Sequence, residues 1–203
     1  MIHVVTGPSG CGKSSLIRLA LAATRGVGFS VSHTTRPRRP TEVEGCDYHF
    51  IDTAEFKKMI RAGAFVEWAV VHGAYYGTSR KELKKGQAGD LILDIDVQGA
   101  RQVRGKVRNA VFTFVLPPSF DVLRERLLGR GQDGPQTIAL RLETARQEAR
   151  ECRRFDHVII NDDLNEAADE LAAIVVCQRT RRAARTRDIR RVLASFRKGV
   201  GAP

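Results

Sequence analysis

Four short stretches of the chain are apolar at nearly every position: residues 2–6, 91–95, 111–116 and 157–160. Runs that are apolar on both faces suit strands of a parallel sheet covered by helices on each side. Helix-like stretches lie between them, over 13–24, 136–153 and 164–182. Alternating strand and helix predicts an α/β layered fold. The segment from His33 to Leu83 breaks this rhythm. It holds Thr34-Thr35-Arg36-Pro37-Arg38-Arg39-Pro40, a strand-like 48–51, a short helix-like patch and a strand-like 65–70. Extra short strands and two prolines there predict a smaller inserted lobe. Gly129-Arg130-Gly131 followed by Asp133-Gly134-Pro135 predicts a flexible, basic lid segment. There is no internal repeat.

The sharpest local signal is Gly7-Pro8-Ser9-Gly10-Cys11-Gly12-Lys13-Ser14, a G-x-x-x-x-G-K-[ST] match directly after the first apolar run and before a helix-like stretch. Glycines let the backbone curl tightly and approach phosphate oxygens. Consecutive N–H groups then make an anion nest, reinforced by the positive end of the helix that follows. This phosphate-binding loop predicts a nucleoside triphosphate site, with Lys13 on the β- and γ-phosphates and the Ser14 hydroxyl on Mg²⁺. The loop does not say which reaction follows.

Composition narrows the class. With 203 residues, 42% hydrophobic and 28% charged, the chain can bury the core of one globular domain. Cys11, Cys46, Cys152 and Cys177 form no C-x-x-C pair, which argues against a zinc site or a disulfide framework and fits a reducing compartment. No basic-then-apolar leader opens the sequence, and no apolar run approaches the ~20 residues of a membrane span. A cytoplasmic location with no membrane partner is expected. The net charge is +11, but residues 179–198 hold eight Arg and one Lys against Asp188 alone, leaving only +3 elsewhere. The basicity belongs to the tail, which reads as a solvated helix, so no specific nucleic-acid partner is expected. Homo-oligomerisation is left open.

Several blocks in order resemble the guanylate kinase family: Ser32-His33-Thr34-Thr35-Arg36-Pro37-Arg38-Arg39-Pro40, Glu44-Gly45-Cys46-Asp47-Tyr48-His49-Phe50, Phe65-Val66-Glu67-Trp68-Ala69, Tyr75-Tyr76-Gly77-Thr78, Leu93-Asp94-Ile95-Asp96-Val97-Gln98-Gly99 and Val158-Ile159-Ile160-Asn161-Asp162-Asp163. The likeness reaches to about residue 178. It implies a P-loop NTPase-like three-layer fold in a single domain, 1–203. Within it the core would be 1–32 and 84–178, a GMP-binding lobe 33–83, a mobile lid about 121–150 and a basic tail 179–203. It also implies a kinase that moves the γ-phosphoryl group of ATP to GMP, with dGMP an open alternative acceptor and Mg²⁺ as cofactor.

By that resemblance, Arg36, Arg39, Tyr48 and Tyr76 hold the GMP phosphate, with Ser32 beside them. Arginine forks and tyrosine hydroxyls suit a phosphate dianion. Arg38 falls one residue off the pattern. Glu67 would read guanine, since a carboxylate accepts from N1–H and N2–H₂ together and adenine offers no such pair. Thr78 would bond the guanine carbonyl, with Gly77 beside it. Residues 7–14 and Ser15 would hold ATP with Arg126, Arg130 and Arg141; Arg130 and Arg141 are lid arginines and join Lys13 as catalytic residues. Asn161 would touch adenine, although a turn-forming Asn is the alternative. Asp94 and Asp96 end a strand, where carboxylates face the ligand crevice of a parallel sheet; Asp94 would lie near Mg²⁺ and Asp96 near GMP. No general base is required, because a phosphomonoester is largely ionised near neutrality.

Each piece has a bland counterpart. Thr-Thr-Arg-Pro could be a surface loop, Tyr76 a half-buried filler, and Glu67 the outward residue of an alternating strand. Two departures from the family pattern stand out: Thr41 where Gly is common, and Gly134-Pro135 before the lid helix. The rival function is a guanylate kinase-like phosphopeptide-binding module without catalysis, which typically lacks the working P-loop seen here. A P-loop kinase acting on a sugar bisphosphate is disfavoured by Glu67 and Thr78.

Overall fold

Along the chain run β1 (Ile2–Thr6), α1 (Lys13–Ala23), β2 (Val27–Phe29), β3 (Ser32–Thr34), β4 (Tyr48–Phe50) and α2 (Thr53–Arg61). Then come β5 (Phe65–Val71), β6 (Ala74–Ser79), α3 (Arg80–Lys85), β7 (Asp90–Asp94), α4 (Val97–Lys106) and β8 (Val111–Leu116). The C-terminal part holds α5 (Phe120–Leu128), α6 (Pro135–Ala149), a 3₁₀ segment (Arg150–Arg154), β9 (His157–Ile160), α7 (Leu164–Thr180) and α8 (Thr186–Lys198). These elements come from a computed structural model that describes residues 1–86, 89–129 and 134–198.

Five strands form a wholly parallel sheet in the order β2-β7-β1-β8-β9. The predicted parallel core is borne out. Alternate residues feed two separate cores. Val5, Ile92, Val115 and Ile159 pack against Leu16 and Ile17 of α1 and Leu171 and Val175 of α7. Val4, Leu91, Leu93 and Phe112 pack on the other face against Ala100 and Val103 of α4. Because the chain leaves central β1 for neighbours on both sides, the crevice above its C-terminal end is a topological switch point, where ligands of open α/β sheets bind. The phosphate-binding loop begins there.

A second sheet, ordered β4-β3-β6-β5, carries most of the segment that broke the sequence rhythm. Phe56 of α2 stacks on Phe65 with ring centroids 4.5 Å apart and closes its apolar side. Helix α4 fastens this sheet to the core. Gln102 brackets the Trp68 backbone, accepting from its N–H at 3.3 Å and donating to its carbonyl at 2.6 Å, and Lys106 Nζ donates to the Val66 carbonyl at 2.6 Å.

Some boundaries differ from expectation. β2 is a fifth strand that the pattern misses, because three residues with a central Gly28 leave no apolar run. The predicted helix over 136–153 tightens to 3₁₀ after Ala149. That over 164–182 ends at Thr180, since Arg181 turns to φ −58, ψ 136. Pro135 takes the first position of α6, where its fixed φ suits a helix start and the missing N–H would be unpaired anyway. In the basic tail, α8 is exposed from Ile189 to Phe196, but Arg179 is not a tail residue: its Nε donates to Asp90 at 2.6 Å. Among the described residues, no helix is long and apolar enough to cross a membrane.

Candidate functional site

The loop between β1 and α1 is shaped by its glycines. Gly12 has φ +91, a conformation L side chains rarely adopt, and a Cβ there would collide with the Asn161 amide. From behind, Asn161 Nδ2 donates to the Cys11 carbonyl at 2.7 Å. The Arg126 guanidinium reaches the Cys11 and Asn161 carbonyls at 3.3 and 3.1 Å. Both residues therefore brace the loop itself, and the buried Asn161 Oδ1 has no hydrogen-bond partner among the described residues. Within the loop Pro8, Gly10 and Cys11 are buried, whereas Ser15 is exposed on α1.

Above the loop opens a cavity of about 540 Å³. Of the predicted ATP-side residues it is lined by Gly7, Ser9, Lys13, Ser14 and Arg141; of the acceptor-side residues, by Ser32, Arg36, Arg39, Tyr48, Glu67, Tyr76 and Gly77; and by both Asp94 and Asp96. Arg130 lies outside the described residues. Lys13 Nζ donates to the Gly7 carbonyl at 3.3 Å and faces Asp94 at 3.4 Å. Burial alone would lower the Lys13 pKa, but the Asp94 carboxylate and weaker neighbours outweigh it, so the ammonium stays charged. Ser14 Oγ donates to the other Asp94 oxygen at 3.0 Å. Hydroxyl and carboxylate together are hard oxygen donors that could hold a magnesium ion, which takes one or two protein oxygens and completes its shell with phosphate and water.

At the other end, Arg36 is held rigidly. Its two terminal nitrogens donate to Glu42 at 2.7 and 3.0 Å, and Nε donates to the Tyr76 hydroxyl at 3.2 Å. Arg39 donates its backbone N–H to the same Glu42 at 2.8 Å. Burial opposes charge on both partners, yet the pairing keeps Arg36 firmly protonated and pushes the Glu42 pKa down. Arg38 is exposed and does not line the cavity.

Glu67 is 3% exposed, contrary to the outward orientation that simple alternation allows. The cause is a register shift against β6 between Phe65 and Glu67. This bulge buries three successive residues and turns the carboxylate inward. Oε1 accepts from the Thr78 N–H at 2.8 Å. Burial pushes the Glu67 pKa up to about 7; Asp96 adds to the rise and Thr78 opposes it. Thr78 is fully buried and lies 3.4 Å from Ser32, hydroxyl to hydroxyl. Asp96 is not a strand residue: β7 stops at Asp94, and Asp96 caps α4 by accepting from the Gly99 N–H at 2.8 Å.

The family model for guanylate kinase matches residues 2–178. The chain belongs to the guanylate kinase family. It is 49% identical over 183 residues to the guanylate kinase of Symbiobacterium thermophilum, covering 89% of this chain and 87% of that protein. It is 41% identical over 199 residues to that of Coxiella burnetii, covering 96% of each. The crystal structure of guanylate kinase from Anaplasma phagocytophilum superposes with a TM-score of 0.73 at 33% identity, over 89% of this chain and 87% of that one.

Two guanylate kinase cavity residues escape the sequence reading. Glu42 orients the Arg36 guanidinium and ties down the Arg39 backbone; an acid inside an Arg-Pro-rich loop is the available hint. Glu148 of α6 lines the cavity together with Ser9 and Lys13 of the phosphate loop. Burial raises its pKa to about 7 despite the nearby Lys13. It lies on the cavity side of α6 with Arg141 and Thr144, spaced at three- and four-residue intervals. Nothing in the local sequence marks a helix carboxylate as reaching the phosphate loop.

Proposed function

We propose that this chain transfers the terminal phosphoryl group of ATP to GMP, giving ADP and GDP. One observation carries the reading: a single cavity has a phosphate nest with Lys13 at one end and the buried Glu67 carboxylate, backed by Thr78, at the other. The nest takes any triphosphate, but only guanine offers the adjacent donors that an inward carboxylate pair accepts. Arg36, Arg39, Tyr48 and Tyr76 then hold the monophosphate, with Ser32 and Gly77 along the same wall and Asp96 beyond Glu67.

Catalysis in this arrangement is alignment and charge neutralisation. Lys13 balances charge on the transferred group, and Arg141, with Arg130 from the lid, reaches it as the lid settles over ATP. Ser14 and Asp94 would hold Mg²⁺, which supplies charge neutralisation on the phosphates. Asn161 offers an acceptor to the adenine amine, and Arg126 keeps the loop in shape. The segment 33–83 serves as acceptor lobe, about 121–150 as lid, 1–32 with 84–178 as core, and 179–203, apart from the Arg179 anchor on Asp90, as a solvated tail on a cytoplasmic enzyme. The deciding assay couples ADP release from ATP and magnesium to GMP, AMP, UMP and CMP in turn, with dGMP alongside GMP. Strong preference for the guanine acceptors is expected; equal rates with all bases, or no ADP from any, would refute the reading.

A further inference from the structure

Gly99 is buried at the third position of α4, and its backbone faces the Glu67 carboxylate. A Cβ built on Gly99 would stand 2.5 Å from Glu67 Oε2, 3.1 Å from its Cδ and 3.2 Å from Asp96 Oδ1. Helix and strand cannot easily separate to make room. Lys106 and Gln102 of the same helix bond the backbone of Val66 and Trp68, the residues on either side of Glu67. The easiest relief is movement of the Glu67 carboxylate itself, the free end of a flexible side chain.

We propose that Gly99 is the positioning residue that sets where Glu67 presents its carboxylate, and hence how well the site reads guanine. The inference rests on Glu67 being the guanine-reading group. A missing Cβ leaves room for one carboxylate oxygen against the first turn of α4, while Thr78 holds the other. Oε1 is then held by a hydrogen bond and Oε2 takes the space beside Gly99, an arrangement in which a two-donor base edge can meet both oxygens. Alanine at 99 would displace Oε2 and spoil that geometry without removing the charge. The fold should tolerate the change, because alanine favours a helix interior over glycine.

The test is kinetic, on Gly99→Ala, Glu67→Gln, Glu67→Asp and their doubles with Gly99→Ala. Gly99→Ala should raise KM for GMP about tenfold and narrow the GMP-over-AMP preference, with KM for ATP within about twofold. In the Glu67→Gln background the same substitution should add little, since the oriented carboxylate is already gone. In the Glu67→Asp background, where the shorter side chain leaves room for the new methyl, its penalty should shrink. Wild-type KM for GMP in Gly99→Ala, or an equal penalty in all three backgrounds, would overturn the proposal. Should Gly99→Ala prove poorly folded, a Glu67→Asp/Gly99→Ala protein that is folded and discriminates GMP from AMP about as well as Glu67→Asp alone supports it, and one that discriminates far worse rejects it. A wild type without guanine preference would instead reject the underlying reading.

Discussion

Glu67 makes GMP binding depend on pH in a way that can be worked out in advance. Its pKa stands at about 7 because burial penalises the charge, with Asp96 adding to the effect and Thr78 opposing it. Guanine brings two donors to this edge, so the ionised carboxylate binds it, while a protonated carboxyl sets a donor against a donor. At pH 8 roughly nine-tenths of the free protein carries the ionised form, and at pH 6 roughly one-tenth. The Kd for GMP should therefore rise about tenfold from pH 8 to pH 6. Loss of the second phosphate proton, with a pKa near 6, adds a smaller effect at the acid end. Titration calorimetry at pH 7 in buffers of different ionisation heat should show about half a proton released per GMP bound. Glu67→Gln should weaken GMP roughly 5- to 150-fold and abolish both the proton release and the steep part of the pH profile, leaving only the phosphate contribution. Equal pH slopes in wild type and Glu67→Gln between pH 8 and pH 6.5 would refute the reasoning.

The same group biases stability in the opposite sense from most carboxylates. The unfolded chain ionises near 4.5, whereas the folded chain keeps this proton to about 7. Stability contributed by the protonated form is thus complete below pH 4.5 and is lost as pH climbs through 7, by about 3 kcal/mol at most.

Lys13→Ala removes the charge that faces Asp94 over the loop, and kcat should fall at least about 10²-fold; an unchanged kcat would undo the ATP-site reading. Glu148→Gln takes an anion away from the cavity wall beside Lys13 and the phosphate loop, so ATP should bind about 3- to 10-fold tighter above pH 7, as read by direct titration; weaker binding would mean that the carboxylate supports the nest. A chain ending at Arg185 should melt within about 2 °C of the full protein. One ending at Cys177 loses the Arg179 contact to Asp90, a carboxylate only 9% exposed, and should lose about 2 kcal/mol, or roughly 4–8 °C. Identical melting of the two truncations would show the ion pair to be idle.

What could be read from the sequence follows from what is contiguous in it. The phosphate loop is eight adjacent residues whose own backbone makes the site, so strand, glycines and lysine announce it together. The three interior strands β7, β1 and β8 are legible for a similar reason, since burial on both faces leaves an unbroken apolar run. Edge strand β9 is legible only because its sequence is apolar, with Val158 and Ile160 exposed, and β2 escapes because an edge strand of three residues leaves no such run. The acceptor clamp is half legible: Arg36, Arg39, Tyr48 and Tyr76 come from separate segments, and only their likeness to a family joins them. Glu67 sits where period-two reasoning fails, because the bulge after Phe65 rotates it from solvent to interior. Glu42 is only hinted at, as an acid inside an Arg-Pro-rich loop, and Glu148 and Gly99 leave no local signal. Glu42 matters through the arginines it holds, Glu148 through a loop 139 positions upstream, and Gly99 through the space that its missing side chain leaves to a carboxylate on β5. Residues that touch the substrate carry chemistry a sequence can advertise. Residues that hold those groups in place are ordinary acids and glycines, and their role exists only once the chain has folded.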